Sequence, residues 1–200
     1  MNNRTKTILS IVIFIALLAV SMVLYKTLMN KSTQIIPPAT VEVLPEPQEK
    51  IPAAEFTVYN KEGNEVKLSD FAGTPTVINF WASWCPPCKA EMPSFEALYK
   101  EFGSDVNFMM IDTTDGKRET KEKAEAYIAK NSYTFPVYFD TELEGMYNLE
   151  VNATPTTIFV DAEGNIVEKY IGIMNEEILR SKLEQLSDKT KTTPSTNVKN

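Results

Sequence analysis

The chain has 200 residues, a length that suits one domain with appended segments. It carries 20 Lys and Arg against 27 Asp and Glu, a net charge of −7, and this acidic balance argues against nucleic-acid binding, which needs clustered cations. With two cysteines and no histidine, the chain is short of ligands for a structural zinc site and lacks the base of a Ser-His or Cys-His mechanism. The cysteines are left with redox chemistry or a structural bond.

Residues 1–30 contain an apolar run from Ile8 to Leu24 that only two serines interrupt. This length lies at the lower end of what spans a bilayer, and Arg4 and Lys6 give the run the charged start of an export signal. No small-residue cleavage site follows the run. We therefore predict an uncleaved single-pass anchor over residues 1–30, with a cleaved signal peptide as the alternative.

The segments that flank the predicted domain also differ in composition. The short N-terminal tail favours an orientation in which the domain lies on the extracytoplasmic side of a bacterial cell membrane. Residues 31–50 are rich in proline and predict a semi-rigid linker. Residues 188–200 are polar without periodicity, and we predict a disordered tail there. Residues 51–187 remain as the folded domain.

Within residues 51–187, short apolar runs alternate with helical patterns. Turn-forming sequences at Asn60–Asn64 and Asp161–Asn165 each predict a β-hairpin. In chain order the predicted elements are strands Phe56–Tyr59, Glu65–Leu68 and Thr76–Trp81, helix Pro86–Phe102, strand Val106–Asp112, helix Arg118–Asn131, strands Val137–Asp140, Thr156–Val160 and Ile166–Tyr170, and helix Glu176–Leu186. This alternation predicts an α/β domain with a mixed central sheet and helices on both faces.

The two cysteines lie in Cys85-Pro86-Pro87-Cys88, between a predicted strand and a predicted helix. Because proline is favoured at the first helical position, Cys85 is predicted to be the N-cap and Cys88 to lie one turn into the helix. Pro86 and Pro87 have no N–H, so only the Cys88 N–H can donate to a Cys85 thiolate. Helix N-termini lower the pKa of a cysteine, which predicts Cys85 as the nucleophile and Cys88 as the resolving thiol. A static disulfide is the alternative, although closing so short a loop stabilises little.

Other residues near this turn are candidates for supporting roles. Glu91 follows Cys88 by one helical turn, so a carboxyl on the same helix face can exchange protons with that thiol, unless it is an ordinary solvated glutamate. Trp84 is either a partly exposed platform for a partner or part of the core. Thr154-Pro155 begins a strand, and the residues alone do not decide whether that bond is cis.

Two blocks of sequence resemble a known family. Val77-Ile78-Asn79-Phe80-Trp81-Ala82-Ser83-Trp84-Cys85-Pro86-Pro87-Cys88-Lys89-Ala90-Glu91-Met92-Pro93 resembles the active-site block of the TlpA/ResA-like branch of the thioredoxin superfamily. Ala153-Thr154-Pro155-Thr156-Thr157-Ile158-Phe159-Val160-Asp161, followed by Gly164, resembles its second block. The resemblance implies a thioredoxin fold with an N-terminal β-hairpin and a helical insertion at Arg118–Asn131.

The same resemblance implies roles for residues. Pro155 should be a cis-proline that faces the active site, and the backbone of Thr154 should pair with a substrate peptide. Glu91 should act as a proton relay, since Asn79 stands where thioredoxins proper have a buried aspartate. With these residues we place the substrate-binding surface at Trp84, Pro86, Thr154 and Pro155.

Family members resembling this chain are mostly membrane-anchored thiol–disulfide oxidoreductases that reduce disulfides in exported proteins. Their tasks include keeping apocytochrome c reduced during cytochrome c maturation, and their electrons come from a membrane partner of the CcdA/DsbD type. The Pro86-Pro87 pair departs from some ResA-like members and leaves the subgroup open. Two alternatives remain, a disulfide-forming oxidant that uses the same residues and an anchored, non-catalytic peptide-binding module. The chain lacks the Thr-x-x-Cys pattern of peroxiredoxin-type peroxidases, which argues against that activity. The resemblance implies no metal or organic cofactor.

Overall fold

The computed structural model describes residues 18, 20–22, 26 and 50–192. The chain divides into two compact units, Met1–Glu46 and Pro47–Asn200, and the described residues of the first unit are helical and exposed. No helix among the described residues is long and apolar enough to cross a membrane. Most of the predicted anchor and nearly all of the predicted linker at 31–50 lie outside the described residues.

One eight-stranded mixed sheet organises the second unit. Its strands are β1 Ile51–Pro52, β2 Thr57–Tyr59, β3 Glu65–Lys67, β4 Thr76–Trp81, β5 Asn107–Asp112, β6 Val137–Phe139, β7 Thr156–Val160 and β8 Asn165–Ile171. They lie in the order β1-β8-β7-β4-β5-β6-β2-β3, with β4, β5 and β6 parallel to one another and the other pairs antiparallel. Both predicted hairpins, β2–β3 and β7–β8, are confirmed.

Among the described residues of this unit, four α-helices accompany the sheet: α1 Pro86–Phe102, α2 Lys121–Asn131, α3 Glu144–Asn148 and α4 Glu176–Thr192. The predicted bounds of α1 are confirmed. Helix α2 begins later than predicted because Thr120 caps it, accepting a hydrogen bond from the Lys123 N–H. Helix α3 was not predicted, since five residues are too few to show a helical period.

The last helix, α4, runs past its predicted end at Leu186 to Thr192. No glycine or proline stands between Leu186 and Thr192 to stop the helix, and the next proline in the sequence is Pro194. The first residues of the predicted tail at 188–200 are therefore helical, and the rest of that tail lies outside the described residues.

The two faces of the sheet are covered unequally. On one face, β4 buries Val77 and Trp81 against α1, α2 and α4. On the other face, Ile78 and Phe80 meet shorter elements, namely a 3-10 turn at Leu68–Phe71 and the region of α3. Helices lie on both faces as predicted, but among the described residues the second face carries the short α3 and the 3-10 turn in place of long helices.

The topology brings both sequence blocks to one edge of the sheet. Strand β4 ends at Trp81 and leads directly into the cysteine turn at the start of α1. Strand β7 runs antiparallel beside it, with Thr156 opposite Phe80, so the start of β7 lies next to the end of β4. Pro155 therefore reaches the cysteines although it is distant from them in sequence.

Candidate active site

The cysteine turn has the predicted capping geometry. Cys85 is the N-cap of α1, with φ −85° and ψ 108°, and its Sγ accepts the N–H of Cys88 at 3.3 Å. The prolines at the first two helical positions supply no N–H. The two cysteines are joined in a disulfide. Redox-active cysteine pairs commonly lie in a Cys-X-X-Cys turn at a helix N-terminus, and this pair has that placement.

The cysteines differ in access. Cys85 keeps 2% of its surface exposed, whereas Cys88 has 0% and lies in the core. Pro86 is exposed beside Cys85. Both cysteines belong to the buried core, and Cys85, next to the exposed Pro86, is the one that keeps some exposed surface, so it is the sulfur nearer to solvent.

The loop before β7 faces Cys85. The Thr154–Pro155 bond is cis, as the family resemblance implied. The carbonyl oxygen of Thr154 lies 3.7 Å from Cys85 Sγ, and the Pro155 carbonyl accepts the N–H of Gly172 at 2.9 Å. The structure thus brings Thr154 and Pro155 together with Cys85, where an extended peptide can pair with the loop backbone.

Glu91 is buried, with 1% of its surface exposed, so the interpretation as a solvated glutamate is wrong. Its Oε1 accepts a hydrogen bond from Asn79 Nδ2 at 2.8 Å, and its Oε2 accepts the N–H of Met174 at 2.9 Å. Asn79 Nδ2 also donates to Thr157 Oγ1 at 3.1 Å. Glu91 therefore links α1 to β4 and to the residues before α4.

Burial raises the pKa of Glu91 to about 7, and the hydrogen bonds from Met174 and Asn79 oppose that rise. The carboxyl lies one turn from Cys88 on the same face of α1, but its hydrogen bonds go to other residues. A carboxyl that titrates near neutral pH can accept the proton of a buried thiol after a small movement.

Trp84 and Ser83, which precede Cys85, are held by two residues that the sequence patterns did not mark. Trp84 is 38% exposed, and the guanidinium of Arg118 lies over its ring, 3.4 Å from the centroid. The buried Glu119 accepts hydrogen bonds at Oε2 from the N–H of Ser83 at 3.0 Å and from its Oγ at 2.8 Å. Neither residue falls in a motif or on a periodic face, so sequence reasoning had no indication of them.

The buried carboxyl of Asp112, which lies beside Trp81, was also missed. It ends β5 opposite Trp81, and its Oδ1 accepts a hydrogen bond from Thr114 Oγ1 at 2.6 Å. Burial, with smaller contributions from the nearby charges of Glu119 and Asp115, raises the pKa of Asp112 to about 8 despite that hydrogen bond. A lone polar residue at the end of an apolar strand was the one available sign.

Comparisons with known proteins agree with this geometry. Residues 48–169 match the AhpC/TSA family. The chain is 31% identical to sporulation thiol-disulfide oxidoreductase A of Bacillus subtilis over 69% of this chain and 84% of that protein. It is 32% identical to thiol-disulfide oxidoreductase ResA of Bacillus cereus over 68% of this chain and 76% of that one. The crystal structure of the exposed lipoprotein thioredoxin of Streptococcus pneumoniae aligns with TM-score 0.59 and 28% identity, covering 66% of this chain and all of that one, which confirms the thioredoxin fold.

Replacing Glu91 with Gln should remove a pH-dependent part of the stability. Because the folded-state pKa of Glu91 is raised from 4.5 to about 7, its contribution is fully present below pH 4.5 and is lost as the pH rises through about 7. Relative to Glu91→Gln, the wild type should therefore lose about 3 kcal/mol of unfolding free energy across this window, measured by urea denaturation. Asp112 titrates in both proteins, so its contribution cancels.

The exposed Glu177→Gln on α4 removes the same charge and serves as the matched control. Its difference from wild type should stay nearly constant with pH. A Glu91→Gln difference that is equally flat would show that the carboxyl does not titrate as a buried group.

Proposed function

The chain belongs to the AhpC/TSA family and is a thiol–disulfide oxidoreductase of the type that includes ResA and sporulation thiol-disulfide oxidoreductase A, and from this premise we propose that it reduces disulfides in exported proteins outside the cytoplasm. Cys85 attacks the substrate, Cys88 resolves the mixed disulfide and Glu91 accepts a proton. The enzymatic relatives disfavour the non-catalytic binding module. Whether the chain reduces or forms disulfides depends on the environment of Cys85.

The hydrogen-bond donors at Cys85 Sγ carry the proposed direction. A strong disulfide-forming oxidant owes its potential to a reduced form in which the thiolate is highly stabilised. Here the Cys88 N–H, at 3.3 Å, is the one backbone donor to that sulfur within the part of the chain that the structure describes. Pro86 and Pro87 occupy the positions from which further backbone donors would come. A thiolate with so few donors favours a reductant.

In the proposed cycle, the Cys85 thiolate attacks one sulfur of a substrate disulfide. A new S–S bond joins Cys85 to the substrate, and the other substrate sulfur leaves as a thiolate that takes up a proton. The Cys88 thiolate then attacks Cys85 Sγ, which releases the second substrate sulfur and closes the Cys85–Cys88 disulfide. Two electrons pass to the substrate, and an external dithiol must return them.

The resolving step needs a base because Cys88 is fully buried. Burial in apolar surroundings raises the pKa of a thiol, so few Cys88 sulfurs would be ionised without help. Glu91, one turn away with a pKa of about 7, supplies an acceptor whose affinity for the proton suits neutral pH. Asn79 and Met174 each donate a hydrogen bond to Glu91 and so fix its carboxyl at that depth.

The location outside the cytoplasm is supported by the apolar run Ile8–Leu24 and the basic residues before it. The streptococcal structural relative is itself described as an exposed lipoprotein. An enzyme on that side has no access to cytoplasmic reductants. We therefore assign the return of electrons to a membrane partner of the CcdA/DsbD type and the N-terminal run to a single-pass anchor.

Apocytochrome c is the substrate we propose among exported proteins. Its haem-attachment motif, C-x-x-C-H, holds two cysteines that can close into a disulfide in an oxidising compartment. Haem attachment requires both as thiols, so a reductant must act first. The resemblance to ResA-like enzymes supports this substrate.

Changing Cys85 to Ser should abolish reduction of insulin disulfides by the purified full-length chain, because the attacking sulfur is lost. Changing Cys88 to Ser should instead trap a mixed disulfide between Cys85 and the substrate, visible on a non-reducing gel. Turbidity of reduced insulin, with dithiothreitol as electron source, gives the rate.

Ser187→Ala, a change remote from both motifs in sequence, is the control and should keep the wild-type rate. A Cys85→Ser variant that still reduces insulin would refute the assigned nucleophile. If the Cys85→Ser variant trapped the substrate through Cys88, and Cys88→Ser trapped none, the assigned roles of the two cysteines would be reversed.

Deleting the gene in the bacterium that encodes this chain should lower covalently bound haem in the c-type cytochromes, detected by haem staining of a gel. Wild type should restore the haem, whereas Cys85→Ser should not. A chain without residues 1–30 should also fail, because it would remain inside the cell.

Normal haem in the deletion strain would exclude apocytochrome c as the essential substrate. Restoration by the chain without residues 1–30 would contradict the proposed location. The amount of each variant is measured in the same cells, so loss of protein is distinguished from loss of function.

A further inference from the structure

We infer that Arg118 is a specificity-determining residue that selects substrate disulfides flanked by a carboxylate side chain. This inference rests on the proposed function, because it assumes that Cys85 attacks a disulfide in a peptide segment. The chemical class of substrate is an acidic peptide, with Asp or Glu close to the cysteine that Cys85 attacks.

The position of Arg118 beside the nucleophile comes from its contact with Trp84. The guanidinium lies 3.4 Å from the centroid of the Trp84 ring, and Trp84 directly precedes Cys85. Both side chains are exposed. A guanidinium stacked by its face leaves its planar edge, with five N–H donors, open to another partner.

The backbone on both sides of this contact is fixed. Asp115 Oδ1 accepts the N–H groups of Lys117 at 2.8 Å and Glu119 at 2.9 Å, which holds the turn that carries Arg118. Glu119 is fully buried and binds Ser83 through the backbone N–H and Oγ. Arg118 thus stacks on Trp84 and Glu119 binds Ser83, so the two residues before Cys85 are both held in place. A side chain held in this way loses little entropy on binding.

The charge of Arg118 has no carboxylate partner within the described residues. The two acids nearest in sequence are engaged elsewhere, Asp115 by backbone N–H groups and Glu119 by Ser83. Lys89, which follows Cys88, is likewise exposed and lies over the Tyr127 ring at 5.2 Å. Although the chain has a net charge of −7, Arg118 and Lys89 have no carboxylate partner among the residues that the structure describes, and both lie near its dithiol.

The geometry of the guanidinium determines which group it selects. Its edge matches a carboxylate through two parallel hydrogen bonds, and a neutral side chain of the substrate cannot accept this pair. A substrate lysine would be repelled by the positive charge of the guanidinium. Because Trp84 supports the face of the guanidinium, the bound carboxylate would lie over the rim of the active site, next to the sulfur under attack. Acidic flanks should therefore lower KM without changing the chemistry at the sulfurs.

The test uses the full-length chain, dithiothreitol as electron source and three cyclic disulfide peptides that differ only in acidic, neutral or basic residues beside the cysteines. Wild type should show the lowest KM for the acidic peptide. Arg118→Gln should raise that KM about tenfold, leave kcat nearly unchanged and leave the neutral peptide unaffected. Arg118→Lys, which keeps the charge but not the planar fork, should fall between the two.

Lys130→Gln removes the same charge from an exposed position in the last turn of α2 and should not alter the peptide preference. Equal losses of Arg118→Gln on all three peptides would overturn the inference, since they would show that Arg118 only holds Trp84. A shifted pH profile for alkylation of Cys85, with no change in peptide preference, would also overturn it in favour of thiolate tuning.

The inference and the proposed reductase can fail separately. If wild type reduces no peptide but oxidises their dithiol forms with the same acidic preference, the reductase direction fails and the role of Arg118 stands. If wild type reduces all three peptides with equal KM, the reductase stands and the role of Arg118 fails. Activity in neither direction would overturn both.

Discussion

The capping of α1 by Cys85 is the constraint on which the rest of the site depends. Because the next two residues are prolines, the helix start offers the sulfur one backbone hydrogen bond, from the Cys88 N–H. At this N-cap position Cys85 keeps 2% of its surface exposed, and Cys88, one turn further along the helix, has 0%. In the proposed cycle, this small number of donors limits how far the Cys85 thiolate is stabilised, which supports electron flow from the protein to its substrate. The cis Thr154–Pro155 loop completes the site from the other side of Cys85.

Two buried glutamates support the cysteine turn from different directions. Glu91 ties the helix behind Cys88 to β4 and to the segment before α4, in a place where burial keeps its pKa near neutrality. Glu119 ties the loop before Cys85 to the segment that leads into α2. Glu91 lies where the proposed proton transfer needs a carboxyl, and Glu119 holds Ser83, next to the Trp84 ring that Arg118 covers. Chemistry and recognition thus rest on separate parts of the fold.

Much of the fold follows from local sequence patterns. The hairpins, the buried strand β4 and helix α1 could be predicted because turn residues, apolar runs and a capping cysteine act over a few neighbours. The short α3 and the extension of α4 could not, since the first has no period and the second is polar. Within the site, the spacing marked both cysteines as candidates, and the family resemblance, added to the spacing, favoured Glu91. Arg118 and Glu119 reach Trp84 and Ser83 only through the tertiary fold, so no local pattern marks them.

The reduction potential of the Cys85–Cys88 pair is the most direct test of the proposed electron flow from this protein to its substrate. That direction depends on how little the Cys85 thiolate is stabilised. The full-length chain is equilibrated with dithiothreitol at defined ratios of its reduced and oxidised forms, and the free thiols are alkylated and counted by mass spectrometry. A reductant of the proposed kind should have a potential near or below that of thioredoxin, about −270 mV. A potential near about −120 mV, typical of a strong disulfide-forming oxidant, would contradict the proposed direction.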